Sequence, residues 1–506
     1  MALAVFMSLA GIILLIACFN LTNTTIALSM RRLKEIGVRK VSGSTNYQIG
    51  IHLLGEVMLT VSIAVVAGFG LALYTIPGFA SMWQLPYGLK ELDRLNMVVT
   101  LGVLLVISTA VAGIYPAWVG SRQSPLSLFR TGKTAGAGTN LFTRSLLVVQ
   151  FALSTMVLIG GIAFTQNAAY QDTISFGYDK DKIITALIQG PQEAEALSQV
   201  LRANPKVETV SPAVHHFAFI NAPERPVQMN GEKFTATVYE IGADYFNTMG
   251  MKMLGGKSFH SEDTLVRNAV VVDENFVRHR HLSEPLGASL EIDGEPVTIA
   301  GIFSNHLTDL KSDNTEDYVY RLARPSEYQI LLVRADATTL AETKQYIDTQ
   351  WKKLYPGKGL RTDLQEDIIY LDANVYNRNF IRIFLFMTVL GALLSVSGLY
   401  AMASLNIQRR TQEIGVRKVL GASVSSIVHL INREFAIILA IAGIVGGYCG
   451  YALVDYLLSD LYAQHVDAGI GTVIVSGVVI FAVGVASTTA TIWSTAAENP
   501  VKALRM

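Results

Sequence analysis

RRLKEIGVRKVSGS, Arg31 to Ser44, returns as RRTQEIGVRKVLGA, Arg409 to Ala422. With Arg31 set on Arg409, the two stretches agree at ten of fourteen positions. Further along, Glu56 falls on Glu434 at the same offset. Each stretch follows one long apolar run and precedes another. Arginines at the cytoplasmic end of a spanning segment are ordinary topology signals, which accounts for Arg31, Arg32, Arg409 and Arg410. It does not account for Glu-Ile-Gly-Val-Arg-Lys-Val in both copies. Glu35 with Arg39, and Glu413 with Arg417, stand at i,i+4 in the favourable order for a helix. Ile36, Lys40 and Val41 would lie near one another on a helical face, and Gly43 and Gly421 suit helix ends. The reading is a pair of short surface helices, about 29–48 and 406–426, each turning into the next span. Two such helices make a paired docking surface.

The rest of the chain is a membrane protein with a large polar insert. Its 506 residues are 16% charged, below the roughly 25% of soluble proteins. The mean hydropathy is +0.38. Seven runs are long and apolar enough to span: Ala2–Leu28, Ile49–Ile76, Leu95–Trp118, Leu146–Thr165, Phe380–Ala403, Ile427–Leu458 and Gly471–Trp493. Lys and Arg concentrate in the two repeats, in 122–144 and in the tail, which places these four segments in the cytoplasm. Four spans separate the repeats, so the copies are parallel. Inverted repeats with broken midplane helices, which mark many secondary transporters, are not the pattern here.

The organisation reads as a first unit of three spans, 1–130, a linker, 131–145, a lone span, 146–165, an insert, 166–379, and a second three-span unit, 380–506. The insert falls on the extracytoplasmic side and mixes helix with strand. Ala269–Asp273, Ser289–Ile292, Pro296–Ile302 and Tyr328–Val333 read as strands. Asp293-Gly294 reads as a hairpin turn, and Thr338–Leu354 as a helix. Both cysteines, Cys18 and Cys449, lie in apolar runs, so the insert has no disulfide framework. The insert's histidines complete no ligand set with cysteine or clustered carboxylates, and read as solvated surface, His279-Arg280-His281 included.

Gly132-Lys133-Thr134 ends like a phosphate-binding loop, but Ser127 stands where that loop needs its first glycine. Glu56, Glu434, His52 and His429 sit near the cytoplasmic ends of their spans and suit pairing with the short helices. Gly443, Gly446, Gly447 and Gly450 suit close helix packing where the two units meet. The halves are unequal. A span and the whole insert lie ahead of the second unit, whereas the first repeat begins at Arg31 with one span before it. That asymmetry predicts a longer polypeptide, with one more span and one more domain before Met1.

Taken together, these motifs resemble the FtsX/MacB-type ABC transporter permeases. Their C-terminal unit has a span, an EIGVRKV-type cytoplasmic helix, two further spans and a Pro-x-x-x-Leu-Arg-like tail. That tail recurs as Pro125 to Arg130 and as Pro500 to Arg505. Tyr245-Phe246 through Phe259, and Val270 to Ile302, look like the family's periplasmic domain. The chain resembles an eight-span fused member without its first span and domain. The resemblance implies an α-helical polytopic membrane protein with two parallel permease repeats and one α+β domain of the MacB-like periplasmic type. It implies no catalytic, metal or cofactor site in the chain, and ATP-Mg bound only through a separate cytoplasmic ATPase, a dimer in this family. The ATPase-coupling residues would be Arg32, Glu35, Ile36, Gly37, Arg39 and Lys40, and Arg410, Glu413, Ile414, Gly415, Arg417 and Lys418. It further implies a bacterial inner membrane, a lipid bilayer around the spans, and a periplasmic adaptor, hydrolase or lipoprotein as further partner, with no nucleic acid. The competing reading is a membrane receptor that senses a ligand outside. No cytoplasmic kinase, cyclase or phosphatase domain supports it.

Overall fold

The computed structural model describes residues 2–83, 93–122, 137–260, 268–312, 315–409, 416–417 and 420–496. Among them, seven helices are long and apolar enough to cross a membrane. The chain divides into two compact units. One holds residues 1–166, 377–457 and 467–506, and the other 167–376 and 458–466.

The unit that holds the spans is helical, and its repeats share boundaries. The helix of span 1, Ala2–Arg31, and that of span 5, Gln365–Arg409, end at counterpart arginines. Those of spans 2 and 6, Asn46–Met82 and Val424–Leu461, begin at counterpart positions as well. Even the caps correspond. Thr45 accepts from Gln48 N, and Ser423 Oγ accepts from Ser426 N. These hydroxyls satisfy amides that a helix start leaves unpaired.

Spans 1, 2 and 3 bury Cys18, Val57, Val61 and Ala112 together. Span 3 is Arg94–Ser121 and span 7 is Ile470–Ala496. In the second repeat, Leu147 and Phe151 of span 4 pack with Leu399, Phe435, Leu439 and Ile480. Span 4 is longer than its apolar run, at Ala137–Gln171, and takes in part of the expected linker. Gly446 of span 6 lies against the backbone of Ala152, and Gly450 against Met156 and Ile159. Gly446 and Gly450 therefore seat span 4, and Gly447 meets Val473 of span 7. These glycines pack within the second repeat and not where the two units meet, a correction to the sequence reading. The glycines let two backbones approach closely. On span 2 the counterparts of Ile438, Ala442 and Gly446, which are Thr60, Ala64 and Gly68, are exposed. Phe6 and Trp83 join Phe164 and Phe380 in an aromatic cluster, with ring centroids 4.8 to 6.0 Å apart.

The other unit is α+β. Its strands are β1 (Ile183–Leu187), β2 (Val207–Ala213), β3 (Glu224–Met229), β4 (Glu232–Ile241), β5 (Met253–Gly256), β6 (Ala269–Asp273), β7 (Ser289–Ile292), β8 (Glu295–Phe303), β9 (Tyr318–Leu322), β10 (Ile330–Ala335) and β11 (Thr362–Leu364). They form one sheet in the order β11-β1-β10-β2-β4-β3-β7-β8-β6-β9, with β5 on β8. A parallel pairing of β4 with β9 closes the part from β4 to β9 into a ring. The open part, β11-β1-β10-β2, is backed by helices Pro191–Arg202 and Leu340–Leu354, which bury Leu197, Leu201, Ile347 and Trp351. The ring has its own core around Val238, Val272, Phe276 and Ile299. Positive φ at Asp293 and Gly294, +52° and +82°, makes the expected two-residue hairpin between β7 and β8. Asn230-Gly231 does the same between β3 and β4.

Candidate functional site

The repeated stretch folds as an elbow. Span 1 ends at Arg31, Arg32 breaks the helix, and a nine-residue helix, Leu33–Val41, follows. This is shorter than the expected 29–48. It stops because Gly43 takes a left-handed backbone, φ +95°. Gly43 N then bonds Lys40 O at 3.0 Å, and Ser44 N bonds Arg39 O at 3.0 Å, the paired closure of a Schellman end.

One side of the elbow is anchored. Ile36 is buried with Ile49, Leu53 and Ala117, and Gly37 is buried beside it. Arg32 reaches Glu56 at 3.1 Å, and His52 also lies near Glu56. The other side faces outward. Glu35 and Arg39 pair at 2.7 Å with both side chains about half exposed. Val38 and Val41 are 59% and 70% exposed. Val41 was expected beside Ile36 and Lys40 on one face; the end of the helix instead leaves it bare. The surface is thus two valines beside an ion pair.

The second elbow is described only in part. Arg410, Glu413, Ile414, Gly415 and Lys418 lie outside the described residues. Val416 and Arg417 are helical and exposed, at the places that Val38 and the half-exposed Arg39 hold in the first copy. Leu420 N bonds Val416 O at 3.0 Å, Ala422 N bonds Arg417 O at 2.9 Å, and Gly421 has φ +90°. These repeat the bonds of Ser42 to Val38 O and of Ser44 to Arg39 O, and the backbone of Gly43. Glu434 pairs with Arg144 of span 4 at 2.8 Å, whereas its counterpart Glu56 takes Arg32 from its own elbow.

A second cluster lies in the α+β unit, where two long helices begin and end. Tyr370 OH donates to Gln171 O at 2.9 Å. Lys180 pairs with Glu366 at 2.9 Å and lies over the Tyr370 ring. Gln365 Oε1, fully buried, meets His216 Nε2 at 2.7 Å, and His216 Nδ1 meets Tyr245 OH at 2.9 Å. A carbonyl oxygen only accepts, so His216 donates from Nε2 and accepts from the phenol at Nδ1. Burial lowers the His216 pKa to about 4, which keeps the ring neutral. His306 is also buried, bonds Tyr320 OH at 3.0 Å, and is lowered to about 3 by burial and by His216. Neither histidine is solvated surface, a correction to the sequence reading. From the segment 458–466, Val466 N bonds Asn167 Oδ1 at 3.1 Å. This ring of contacts is a collar.

Comparison with known proteins places these features. The FtsX-like permease C-terminal model matches residues 7–125 and again 385–500. The MacB-like periplasmic core domain model matches residues 145–350. The chain belongs to the FtsX/MacB-type ABC transporter permease family. The permease is 25% identical over 274 residues to the macrolide export ATP-binding/permease protein MacB of Acinetobacter baylyi, covering 51% of this chain and 38% of that one. It is 26% identical over 235 residues to the ABC transporter permease YknZ of Bacillus subtilis, covering 44% and 59%. The matches thus span 38% and 59% of these relatives' lengths, less than two thirds of each. The periplasmic region of MacB from Actinobacillus actinomycetemcomitans overlays 38% of this chain and 93% of that one, with 17% identity and a TM-score of 0.30.

The permease is therefore a multi-pass membrane protein with an α+β domain of the MacB type. The sequence repeat led to both elbows. It gave no sign of the collar, whose members Gln171, His216, Tyr245 and Gln365 are scattered along the chain. The signal available for them was weak: His215-His216 set in an otherwise apolar and aromatic run, Ala213-Val214 before and Phe217-Ala218-Phe219-Ile220 after.

Proposed function

We propose that this permease works with a separate cytoplasmic ABC ATPase and passes the ATPase's motion to its α+β domain, by mechanotransmission. ATP-Mg is then bound by the ATPase alone, and the membrane is a bacterial inner membrane. The observation that carries the reading is the pair of elbows with like caps, each presenting a valine and an arginine near the end of its helix. A paired surface suits an ATPase dimer, because each elbow meets one half of a two-fold partner.

Motion would leave the elbows through Gln365–Arg409, an uninterrupted helix of 45 residues ending at the second elbow. Its first two turns are held in the collar by Gln365, Glu366 and Tyr370. A helix clamped at such an end transmits displacement with little slack. The work done would be export, extraction or regulation of an envelope substrate, with a periplasmic adaptor, hydrolase or lipoprotein as the recipient.

The test is purification of the permease from its own membranes in lipid nanodiscs, followed by ATP hydrolysis and hydrogen exchange. The reading predicts a co-purifying ATPase and an ATP-dependent change in exchange at residues 365–376. A permease that carries no ATPase, yet changes exchange on adding an extracytoplasmic ligand, would instead be a receptor.

A further inference from the structure

Spans 1 and 5 hold the same place in the two repeats, and they meet at a polar crossing. Asn20 and Gly398 are counterparts at the offset that sets Arg31 on Arg409. A Cβ on Gly398 would lie 3.2 Å from Asn20 Oδ1 and 3.3 Å from Gln150 Oε1. A residue that touches its own counterpart lies on the axis that relates two copies. Asn20 and Gly398 therefore mark the axis joining the repeats. One copy brings an amide there, and the other leaves room for it.

The crossing extends into a seam. Gln150 Nε2 donates to Ser395 Oγ at 3.4 Å, and the hydroxyls of Ser395 and Ser154 are 3.1 Å apart. Ser154 Oγ donates to Gln150 O at 3.1 Å. A Cβ on Gly391 would lie 3.3 Å from Ser154 Oγ. Asn23 is one turn beyond Asn20. Asn23, Gln150, Ser154 and Ser395 are almost wholly buried.

Much of this hydrogen-bonding capacity is idle. Asn20 Oδ1, Gln150 Oε1 and both amide atoms of Asn23 have no partner among the described residues. A buried amide left unpaired is costly, and an apolar side chain of the same size would pack there more favourably. Spanning helices associate through small residues and interhelical hydrogen bonds, so polar groups at their junction set how they pair. Gly391, Ser395 and Gly398 give span 5 a low face on this side, with no bulky ridge to lock one arrangement.

We infer that this seam is a bistable contact between the repeats. A second arrangement of spans 1, 4 and 5 pairs the idle amide of Asn23 and the idle oxygens of Asn20 and Gln150. Passage between the two arrangements is the step within the membrane that joins elbow motion to the α+β domain. The inference rests on the function proposed above. It adds to that function the discrete two-state element that coupling between distant sites requires.

Two measurements test it. In the first, Asn20→Cys with Gly398→Cys is made in a Cys18→Ser, Cys449→Ser background and oxidised in nanodiscs with the ATPase bound. The disulfide should form and lower ATP hydrolysis at least tenfold, with recovery on reduction and no loss of ATPase binding. Unchanged hydrolysis in the locked permease, or failure of the disulfide to form, would overturn the seam's role. The second needs no ATPase and so stands if none binds. Asn23→Leu should raise the thermal midpoint of the permease by about 3 °C or more, because both of its amide atoms are idle. A lowered midpoint would mean that the amide only holds this arrangement together, and the inference would fail.

Discussion

Gly43 and Gly421 are repeat counterparts and hold the same left-handed backbone, φ +95° and +90°. Neither has an atom within 4 Å of where a Cβ would sit, so the requirement is conformational and not steric. An alanine in that region costs about 1–2 kcal/mol. Gly43→Ala and Gly421→Ala should each destabilise by that amount, and asparagine at either site by less. Thermal unfolding of the variants in nanodiscs checks this. Equal stability of alanine and glycine forms would show that the elbow ends are not set by these residues.

Gly446→Leu and Gly68→Leu should behave oppositely, although the two glycines are repeat counterparts. Gly446 meets the backbone of Ala152, which a side chain cannot displace cheaply. Overpacking of this kind costs about 1–3 kcal/mol or more. Gly68 is exposed with no atom in reach, so leucine there should be neutral. The thermal midpoints of the two variants decide it, and a matching loss at Gly68 would contradict the arrangement.

Asp273 gives the α+β domain a pH-dependent term. Burial raises its pKa to about 7, against the lowering effect of bonds from Phe276 N and Tyr318 N. Asp317 nearby raises it further. A raised carboxyl favours the protonated folded form. Its penalty is therefore small below pH 4, grows as pH rises from about 4 to 7, and is complete above. At about 1.4 kcal/mol per pKa unit the total is a few kcal/mol. Asp273→Asn keeps an acceptor for both amides. Its stability advantage over the natural protein should grow between pH 5 and pH 8 in thermal melts. A difference that does not change with pH would count against a buried, titrating carboxyl.

His216 works in the other direction. Its folded pKa of about 4 lies below the ordinary 6.5, so the stability it contributes is present above about pH 6.5 and is lost as pH falls through 4. His216→Gln should flatten the acid limb of the stability profile. An unaltered acid limb would place the loss elsewhere.

The repeat was legible because ten of fourteen identities at one offset carry register as well as likeness. The helix ends at Arg31 and Arg409, and the starts at Asn46 and Val424, keep that register. They lie beyond the apolar runs that ended at Leu28 and Ala403 and began at Ile49 and Ile427, because hydropathy does not mark a helix that continues into polar residues. The hairpin at Asp293-Gly294 was legible because few residue pairs accept two positive φ angles. Asn230-Gly231 carried the same signal in a run that also contains charged residues, which hides the alternation of β3 and β4. The closed ring was not legible, since the parallel pairing of β4 with β9 joins strands that have β5 to β8 between them in the chain. Nor was the collar, which depends on contacts between residues as distant as His216 and Gln365. The segment 458–466, expected within the second permease unit, clusters with the α+β domain. Its hydrogen bonds to Leu310 and Asn167 leave no mark on composition.

Charge reversal at the elbows tests the docking of the ATPase most directly. Arg39→Glu and Arg417→Glu, separately and together, are compared for co-purification of the ATPase. Lys206→Glu, on an exposed ion pair of the α+β domain, serves as control. Exposed ion pairs contribute only about 0–1 kcal/mol, so none of these changes should unfold the permease. ATPase retention should weaken with each elbow variant, fall at least tenfold with both, and not change in the control. A folded double variant that retains the ATPase as well as the natural permease would contradict that docking.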